Sequence, residues 1–218
     1  MGSERRLTVW KLAFLASHRG TNMQALVDAC RSGRLQAKPV VVISNNGASG
    51  ALDRAAAAGI PAYHLGASNH PDADALDRAI AATLERYAPD LVLLAGYMKR
   101  VGPRTLAAFP GRVINIHPAL LPAHGGRGMF GSNVHEAVIA AGDVETGITI
   151  HVVDEDYDSG TVLAQRRVPV LPGDTAESLA GRLLPLEHDL YVDTVARIIG
   201  GEIRLPVAAP RASTMQEE

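Results

Sequence analysis

The chain has 218 residues, 47% of them hydrophobic, so it is long enough to bury the core of one domain. Its formal net charge of -2 excludes binding to nucleic acid through overall charge alone. The single cysteine, Cys30, excludes an internal disulfide and a cysteine-based zinc site, and the first apolar run is too short to span a membrane. We therefore expect a cytoplasmic protein without a membrane or nucleic-acid partner.

The first half of the chain alternates short apolar runs with Ala-rich and Leu-rich stretches of helical length. The runs that we predict as strands cover residues 12–16, 40–43, 91–95 and 113–116. The stretches that we predict as helices cover residues 22–31, 50–58 and 71–87. Continuous apolar strands alternating with helices indicate an α/β protein with a Rossmann-like, mostly parallel twisted sheet and helices on both faces.

The second half begins with a glycine-rich loop and ends with a long helix. The elements predicted there are the loop over residues 122–132, a helix over 133–141, strands over 147–153 and 161–170, and a helix over 175–199. Gly200 and Gly201 are expected to end the last helix. We predict a single domain over residues 11–203, flanked by a flexible N-terminus (1–10) and a mobile C-terminal tail (204–218).

Polar residues follow the first predicted strand and lead directly into a helix. An open α/β sheet binds ligands beyond the carboxyl ends of its strands, and a helix N-terminus favours an anion. Gly20 permits close backbone approach, and Thr21 and Asn22 add side-chain donors. The segment therefore predicts either a phosphate site or an ordinary capped turn. The glycine patterns of a Walker loop and of a dinucleotide-binding loop are both absent from it.

Two polar residues, Asn115 and His117, stand at the end of the fourth predicted strand. Residues two apart on a strand point to the same face, so both side chains should project together. Histidine can act as an acid or a base near neutral pH, and an Asn amide can donate to a developing oxyanion. The pair thus suits acyl transfer. A structural Asn beside a histidine with satisfied hydrogen bonds is the alternative.

The segment 154–160 packs four carboxylates into seven residues. A calcium loop of the EF-hand kind nearly fits, but its glycine comes one place late, and Gln165 stands where the bidentate glutamate is needed. A solvated turn is a second interpretation. A third is that one carboxylate reaches His117 and orients its ring. His151, on the preceding strand, faces the same region in either a supporting or a purely structural role.

Several separated motifs resemble those of the folate-dependent formyltransferases. The run Asn115-Ile116-His117-Pro118-Ala119-Leu120-Leu121-Pro122 resembles the signature of that family. Asp158-Ser159-Gly160 is similar to its second motif, and the similarity extends over about residues 11–203. The motifs occur in the order expected for this family, so the chain resembles the family along most of its length.

The resemblance implies a formyltransferase fold and a reaction. The formyl group of 10-formyltetrahydrofolate, a co-substrate, would pass to the amine of 5-phosphoribosylglycinamide, with no metal involved. Asn115, His117 and Asp158 would be the catalytic residues. Asn115 and a protonated His117 would donate to the tetrahedral oxygen. Asp158 would raise the pKa of that histidine, hold its orientation and organise a water. Either that water or His117 would help to move the proton from the amine to the folate nitrogen.

The resemblance also implies two binding segments. The residues that it assigns to the phosphate and ribose are Gly20, Thr21, Asn22 and Glu187. The residues that it assigns to the folate are Met98, Lys99, Arg100, Val101 and Asn115.

Three positions depart from the family pattern. Ala73 stands where bacterial relatives often have a folate-binding Arg, Lys99 stands where Arg is common, and the loop 125–132 differs from the commonest sequence. Other functions therefore stay open at this point, namely a formyltetrahydrofolate hydrolase, a calcium-binding module and a non-catalytic module. By resemblance we expect a monomer or a homodimer.

Overall fold

A computed structural model describes residues 9–206 and contains seven strands and six helices in that range. The strands are β1 (Trp10–Ala16), β2 (Ala37–Ser44), β3 (Ala62–His64), β4 (Leu91–Leu94), β5 (Val113–His117), β6 (Glu145–Val152) and β7 (Val162–Pro169). The helices are α1 (Thr21–Arg31), α2 (Gly50–Ala57), α3 (Ala73–Tyr87), α4 (Pro103–Ala108), α5 (Ser132–Ala141) and α6 (Ala176–Ile199).

The strands form one sheet in the order β3-β2-β1-β4-β5-β6-β7. The pairs from β3 to β5 are parallel, and β6 and β7 are added antiparallel at the other edge. This arrangement confirms the predicted Rossmann-like α/β class with its mostly parallel sheet. The reversal of direction between β5 and β6 places Asn115 opposite His151 and His117 opposite Thr149.

The central strands β1 and β4 are buried on both faces, which explains the continuous apolar runs in the sequence. On β1, Leu12 and Phe14 belong to one core cluster, whereas Ala13 and Leu15 belong to the cluster on the opposite face. All four side chains are fully buried. A strand that packs against helices on both sides has no solvent-facing positions, so its sequence shows no alternation.

Two short elements were not predicted from the sequence. Strand β3 has three residues and α4 has six, both too short to give a clear hydrophobic period. Helix α4 begins at Pro103, and its N-terminus is held by a residue distant in sequence. The carboxylate of Asp77, on α3, accepts hydrogen bonds from the backbone N–H groups of Arg104 at 2.8 Å and Thr105 at 3.1 Å.

The ends of the predicted domain fall near the limits of the described range. β1 begins at Trp10, and Leu205, inside the predicted tail, packs against the larger core cluster. The rest of the two predicted flexible ends, residues 1–8 and 207–218, lies outside the described residues. Between residues 9 and 206, no helix combines the length and apolar character that crossing a membrane requires.

Candidate active site

A cavity of about 860 Å³ opens beside the carboxyl ends of β4 and β5. It brings together nine of the residues singled out from the sequence, which are Asn22, Met98, Lys99, Arg100, Val101, Asn115, His117, Asp158 and Glu187. Gly20 and Thr21, by contrast, are not among its lining residues. A single cavity therefore joins the predicted phosphate, catalytic and folate segments.

The first segment follows β1 and leads into α1 through Gly20. This glycine has φ of 69°, and a Cβ atom there would lie 2.8 Å from Cα of Ala51, so only glycine fits. Two residues later, Nδ2 of Asn22 donates to Oε2 of Glu187 at 2.8 Å. Oδ1 of Asn22 is buried and has no hydrogen-bond partner among the described residues. The Asn22–Glu187 contact thus joins the start of α1 to the middle of α6 at the cavity wall.

Glu187 is a carboxylate in an apolar setting. Burial raises its pKa above the usual value, and the hydrogen bond from Asn22 opposes that rise without cancelling it. The hydrogen bond from Asn22 uses only part of the carboxylate's capacity as an acceptor, so this side chain favours a ligand that donates further hydrogen bonds to it. A sugar hydroxyl is a donor of that kind.

His117 is 3% exposed, and both of its ring nitrogens face protein groups. Its Nε2–H donates to the backbone carbonyl of His124 at 2.8 Å. Its Nδ1 lies 3.7 Å from Oδ2 of Asp158, which is beyond direct hydrogen-bond distance but close enough for attraction between charges. Nδ1 is therefore the ring nitrogen that remains available for proton exchange.

The pKa of His117 lies below its ordinary value, because burial disfavours the charged ring more strongly than Asp158 and the His124 carbonyl favour it. Asp158 acts in the direction that the resemblance implied, but its effect is the smaller one. The net lowering favours the neutral ring, whereas the resemblance implied a protonated His117 during the transfer.

Asp158 lies at the base of the acidic loop with φ of 55°, a left-handed conformation. Its Oδ2 accepts the backbone N–H of Gly126 at 2.9 Å, and its Oδ1 lies 3.5 Å from Nε2 of His151. Burial raises the pKa of Asp158, but attraction to His117 and the hydrogen bond from the Gly126 N–H oppose that rise, and the net pKa is below the usual value. The group is a carboxylate, as an orienting partner of a histidine must be.

His151 contacts two of the proposed catalytic residues, Asn115 and Asp158, which its sequence context does not show. Asn115 lies beside it on β5, with Nδ2 of the amide 3.1 Å from Nε2 of His151. Nδ1 of His151 faces the Val152 carbonyl at 3.0 Å, which favours a hydrogen on Nδ1 and leaves Nε2 as an acceptor. In that arrangement Asn115 donates one N–H to His151 and keeps the second for a ligand. Only the antiparallel register, which the sequence does not show, places the two residues together.

The segment after β4 forms another wall of the cavity. The N–H of Met98 donates to Oγ of Ser17 at 2.8 Å, and Val101 is buried. Arg100 donates to the Glu155 carbonyl and stacks over the ring of Tyr157, 6.0 Å from its centroid. A second cavity of about 800 Å³ adjoins this wall and includes Ala73, the position where an arginine was expected from the family pattern. The loop 125–132 lines the first cavity along most of its length.

The acidic loop is tied to the protein through its own side chains. Asp158 is engaged by the two histidines and Gly126, and Asp154 accepts a hydrogen bond from Ser159 at 2.8 Å. Within residues 9–206 no three His, Cys, Asp or Glu side chains are grouped so as to hold a metal ion. What the site offers is an amide donor, a neutral imidazole and a carboxylate around one cavity, a set suited to moving protons at a carbonyl.

Comparison with known proteins agrees with this geometry. A sequence model described as formyl transferase matches residues 10–195. The chain is 40% identical over 195 residues to a chloroplastic phosphoribosylglycinamide formyltransferase of Arabidopsis thaliana, covering 89% of this chain and 67% of that relative. It is 38% identical over 195 residues to the phosphoribosylglycinamide formyltransferase of Haemophilus influenzae, covering 89% and 90%. Among solved structures, glycinamide ribonucleotide transformylase 1 from Symbiobacterium toebii matches with a TM-score of 0.84 at 37% identity, covering 91% of this chain and 95% of that one.

Proposed function

Because the chain belongs to the formyl transferase family, we propose that it transfers the formyl group of 10-formyltetrahydrofolate to the amine of 5-phosphoribosylglycinamide, a step of purine biosynthesis. One observation carries the proposal. Asn115, His117 and Asp158 converge on a cavity that also reaches Asn22 and Glu187 on one side and Met98 to Val101 on the other. A transfer between two substrates needs two binding walls around one reactive centre, and this cavity has them.

The two walls suit different substrates. The N-terminus of α1 supplies unpaired backbone N–H groups for a phosphate, next to Gly20, Thr21 and Asn22. Glu187, with its buried carboxylate, accepts hydrogen bonds from the ribose hydroxyls. The folate ring system binds along Met98, Lys99, Arg100 and Val101, with Asn115 at its reactive end. These residue assignments are the ones that the family resemblance implies. The relatives named above act on the same ribonucleotide according to their names, which supports the choice of substrate.

The reaction starts with attack of the substrate amine on the formyl carbon. The new C–N bond turns the carbonyl oxygen into an oxyanion, and the free N–H of Asn115 donates to that oxygen. The lowered pKa of His117 supports a neutral ring, so its Nδ1 accepts the proton that the attacking nitrogen loses. In this order His117 begins neutral and accepts a proton, whereas the resemblance implied a protonated His117 that donates to the oxyanion.

The second half of the reaction returns the proton. The protonated His117 is stabilised by the carboxylate of Asp158, whose oxygen lies 3.7 Å from Nδ1. It then gives the proton to N10 of the folate as the bond between the formyl carbon and N10 breaks. The products are the formylated ribonucleotide and tetrahydrofolate, and no proton is gained or lost overall. Holding both substrates in one cavity contributes much of the rate, because the attack is then effectively intramolecular.

Turnover of 10-formyltetrahydrofolate, followed by folate absorbance with and without 5-phosphoribosylglycinamide, tests the proposal. We expect turnover only with the ribonucleotide, and a kcat about 10²–10⁴-fold lower in His117→Ala and Asp158→Asn. His70→Ala, a histidine that does not line the cavity, is the control. Turnover without the ribonucleotide would show a hydrolase. An inert protein would show a non-catalytic module, and a melting temperature that rises with millimolar calcium would show a calcium-binding one.

Both proposed substrates are small, charged and water-soluble, which supports a cytoplasmic location and needs neither membrane nor nucleic acid. By family resemblance, the protein is expected to be a monomer or a homodimer.

A further inference from the structure

His124 lies in the turn after β5, and its backbone carbonyl is the group that accepts the Nε2–H of His117 at 2.8 Å. His124 has φ of 51°, a left-handed conformation that residues with a Cβ atom rarely adopt. That conformation persists only where surrounding contacts hold it. The direction of the carbonyl therefore depends on what anchors His124.

The anchor of His124 is its own side chain. Nε2 of His124 lies 2.6 Å from Oδ2 of Asp143, and the two side chains are 19% and 38% exposed. Asp143 follows Gly142, the residue that ends α5, and the N–H of Asp143 donates to the Val138 carbonyl. The turn is thus tied to the end of a helix that packs against α6.

The same turn also holds the partner of His117. Two residues after His124, the N–H of Gly126 donates to the carboxylate of Asp158 at 2.9 Å. The start of the turn is fixed at Leu121, whose N–H donates to Oγ1 of Thr149 at 3.1 Å. Between residues 121 and 126, His124 is the one residue with a polar side chain, so its contact with Asp143 is the side-chain anchor of this turn.

We propose that His124 and Asp143 form a positioning pair that fixes which nitrogen of His117 exchanges protons with the substrate, an inference that rests on the proposed function. A backbone carbonyl can only accept, so a carbonyl near Nε2 selects the ring form with hydrogen on Nε2. Nδ1 then carries the lone pair that takes the proton of the attacking amine. Without the anchor, the turn relaxes from its left-handed conformation and the ring populates the other tautomer.

Kinetics of His124→Ala, Asp143→Ala and the double variant test the pair. We expect kcat to fall about 10–100-fold in each single variant, with KM within about 2-fold of the parent value. The kcat of the double variant should equal that of the single variants, because both substitutions break the same contact. His124→Gln keeps a donor near the position of Nε2 and should restore most of kcat. Glu145→Ala, which removes a surface ion pair between Glu145 on β6 and Arg167 on β7, is the control.

A spectroscopic readout separates positioning from simple loss of stability. The ¹⁵N shifts of the His117 imidazole in the free protein should report hydrogen on Nε2 in the parent and a shift toward the Nδ1–H form in both alanine variants. An unchanged tautomer would overturn the proposal, as would a kcat loss that tracks the melting temperature and that His124→Gln does not restore. This measurement needs no substrate, so it stands even if the parent protein fails to transfer formyl groups.

Discussion

Asn115 and His151 face each other across the antiparallel pair of β5 and β6, with the Asn115 amide nitrogen 3.1 Å from Nε2 of His151. Nε2 of the same ring lies 3.5 Å from Oδ1 of Asp158. His151 therefore connects two members of the proposed catalytic group without being one of them. It is 2% exposed, so its ring position is fixed by packing.

Removal of this connection should slow the reaction without weakening substrate binding. In His151→Ala, Asn115 loses the acceptor that orients its amide, and we expect kcat to fall about 10–100-fold while KM for both substrates changes little. Steady-state kinetics with each substrate varied in turn measure the two effects. His70→Ala, a histidine remote from the cavity, should match the parent. A rise in KM at constant kcat would show that His151 contributes to binding instead.

Glu187 should show a conflict between stability and binding. Burial raises the pKa of Glu187 in the folded protein above its pKa in the unfolded chain. The free energy of unfolding therefore decreases as pH rises from the unfolded-state pKa through the folded-state pKa. Glu187→Gln removes that cost, and we expect its melting temperature to exceed the parent value at pH 8 and to approach it at pH 4. We also expect KM for the ribonucleotide to rise about tenfold, because the acceptor for the ribose is weakened. Asp189→Asn, at an exposed position of the same helix that does not line the cavity, should change neither quantity.

His135 should make the protein less stable in mild acid. It is 6% exposed, and burial, followed by the nearby His117, lowers its pKa. The unfolded chain therefore binds a proton at His135 more readily than the folded chain does. As a result, the free energy of unfolding falls as pH drops below the pKa of His135 in the unfolded chain, about 6.5. Urea unfolding at pH 7.5 and pH 5.5 should therefore show a smaller acid loss in His135→Gln than in the parent. Equal losses in the two proteins would contradict this account. His117 and His188 act in the same direction, so part of the loss should remain.

Asp77 should be the most sensitive position at the folate wall. Its buried carboxylate holds two N–H groups of α4 and also accepts from Oγ1 of Thr105 at 2.7 Å. We expect Asp77→Ala to cost about 2–3 kcal/mol of unfolding free energy, because those donors lose their partner inside the protein. Because α4 follows directly after Val101, KM for the folate should also rise. Chemical denaturation and folate titration measure the two effects, and Asp53→Ala, an exposed carboxylate on α2, is the control.

The local sequence was enough to predict most of the sheet and several residues of the site. The strands of the parallel half are continuous apolar runs, and the structure confirms them at β1, β2, β4 and β5. The long helix α6 was predicted from Thr175, which is its N-cap and accepts the N–H of Ser178. Asn115 and His117 meet in the cavity as expected, because their spacing on one strand already fixes a common face.

What the sequence did not show depends on contacts between distant segments. Helix α4 is held by Asp77, 28 residues before Thr105, so its N-terminus lacks a local capping signal. The position of His151 beside Asn115 is set by the register of β5 and β6. The position of His124 is set by its left-handed backbone conformation and by its contact with Asp143 at the end of α5. The raising effect of Asp158 on the pKa of His117 was predicted, but the larger lowering effect of burial was not, because burial cannot be read from the charged residues nearby.

The contact between Asn22 and Glu187 joins residues 165 positions apart in the chain. A protein leaves the ribosome from its N-terminus, and α6 is the last helix described, so the proposed phosphate loop is synthesised long before its partner. The wall that Asn22 and Glu187 form together is therefore complete only after α6 has been synthesised. A nascent chain that contains β1 to β5 therefore already includes His117 but lacks Glu187, the carboxylate that faces Asn22. Such a chain should not bind the ribonucleotide until α6 has been synthesised.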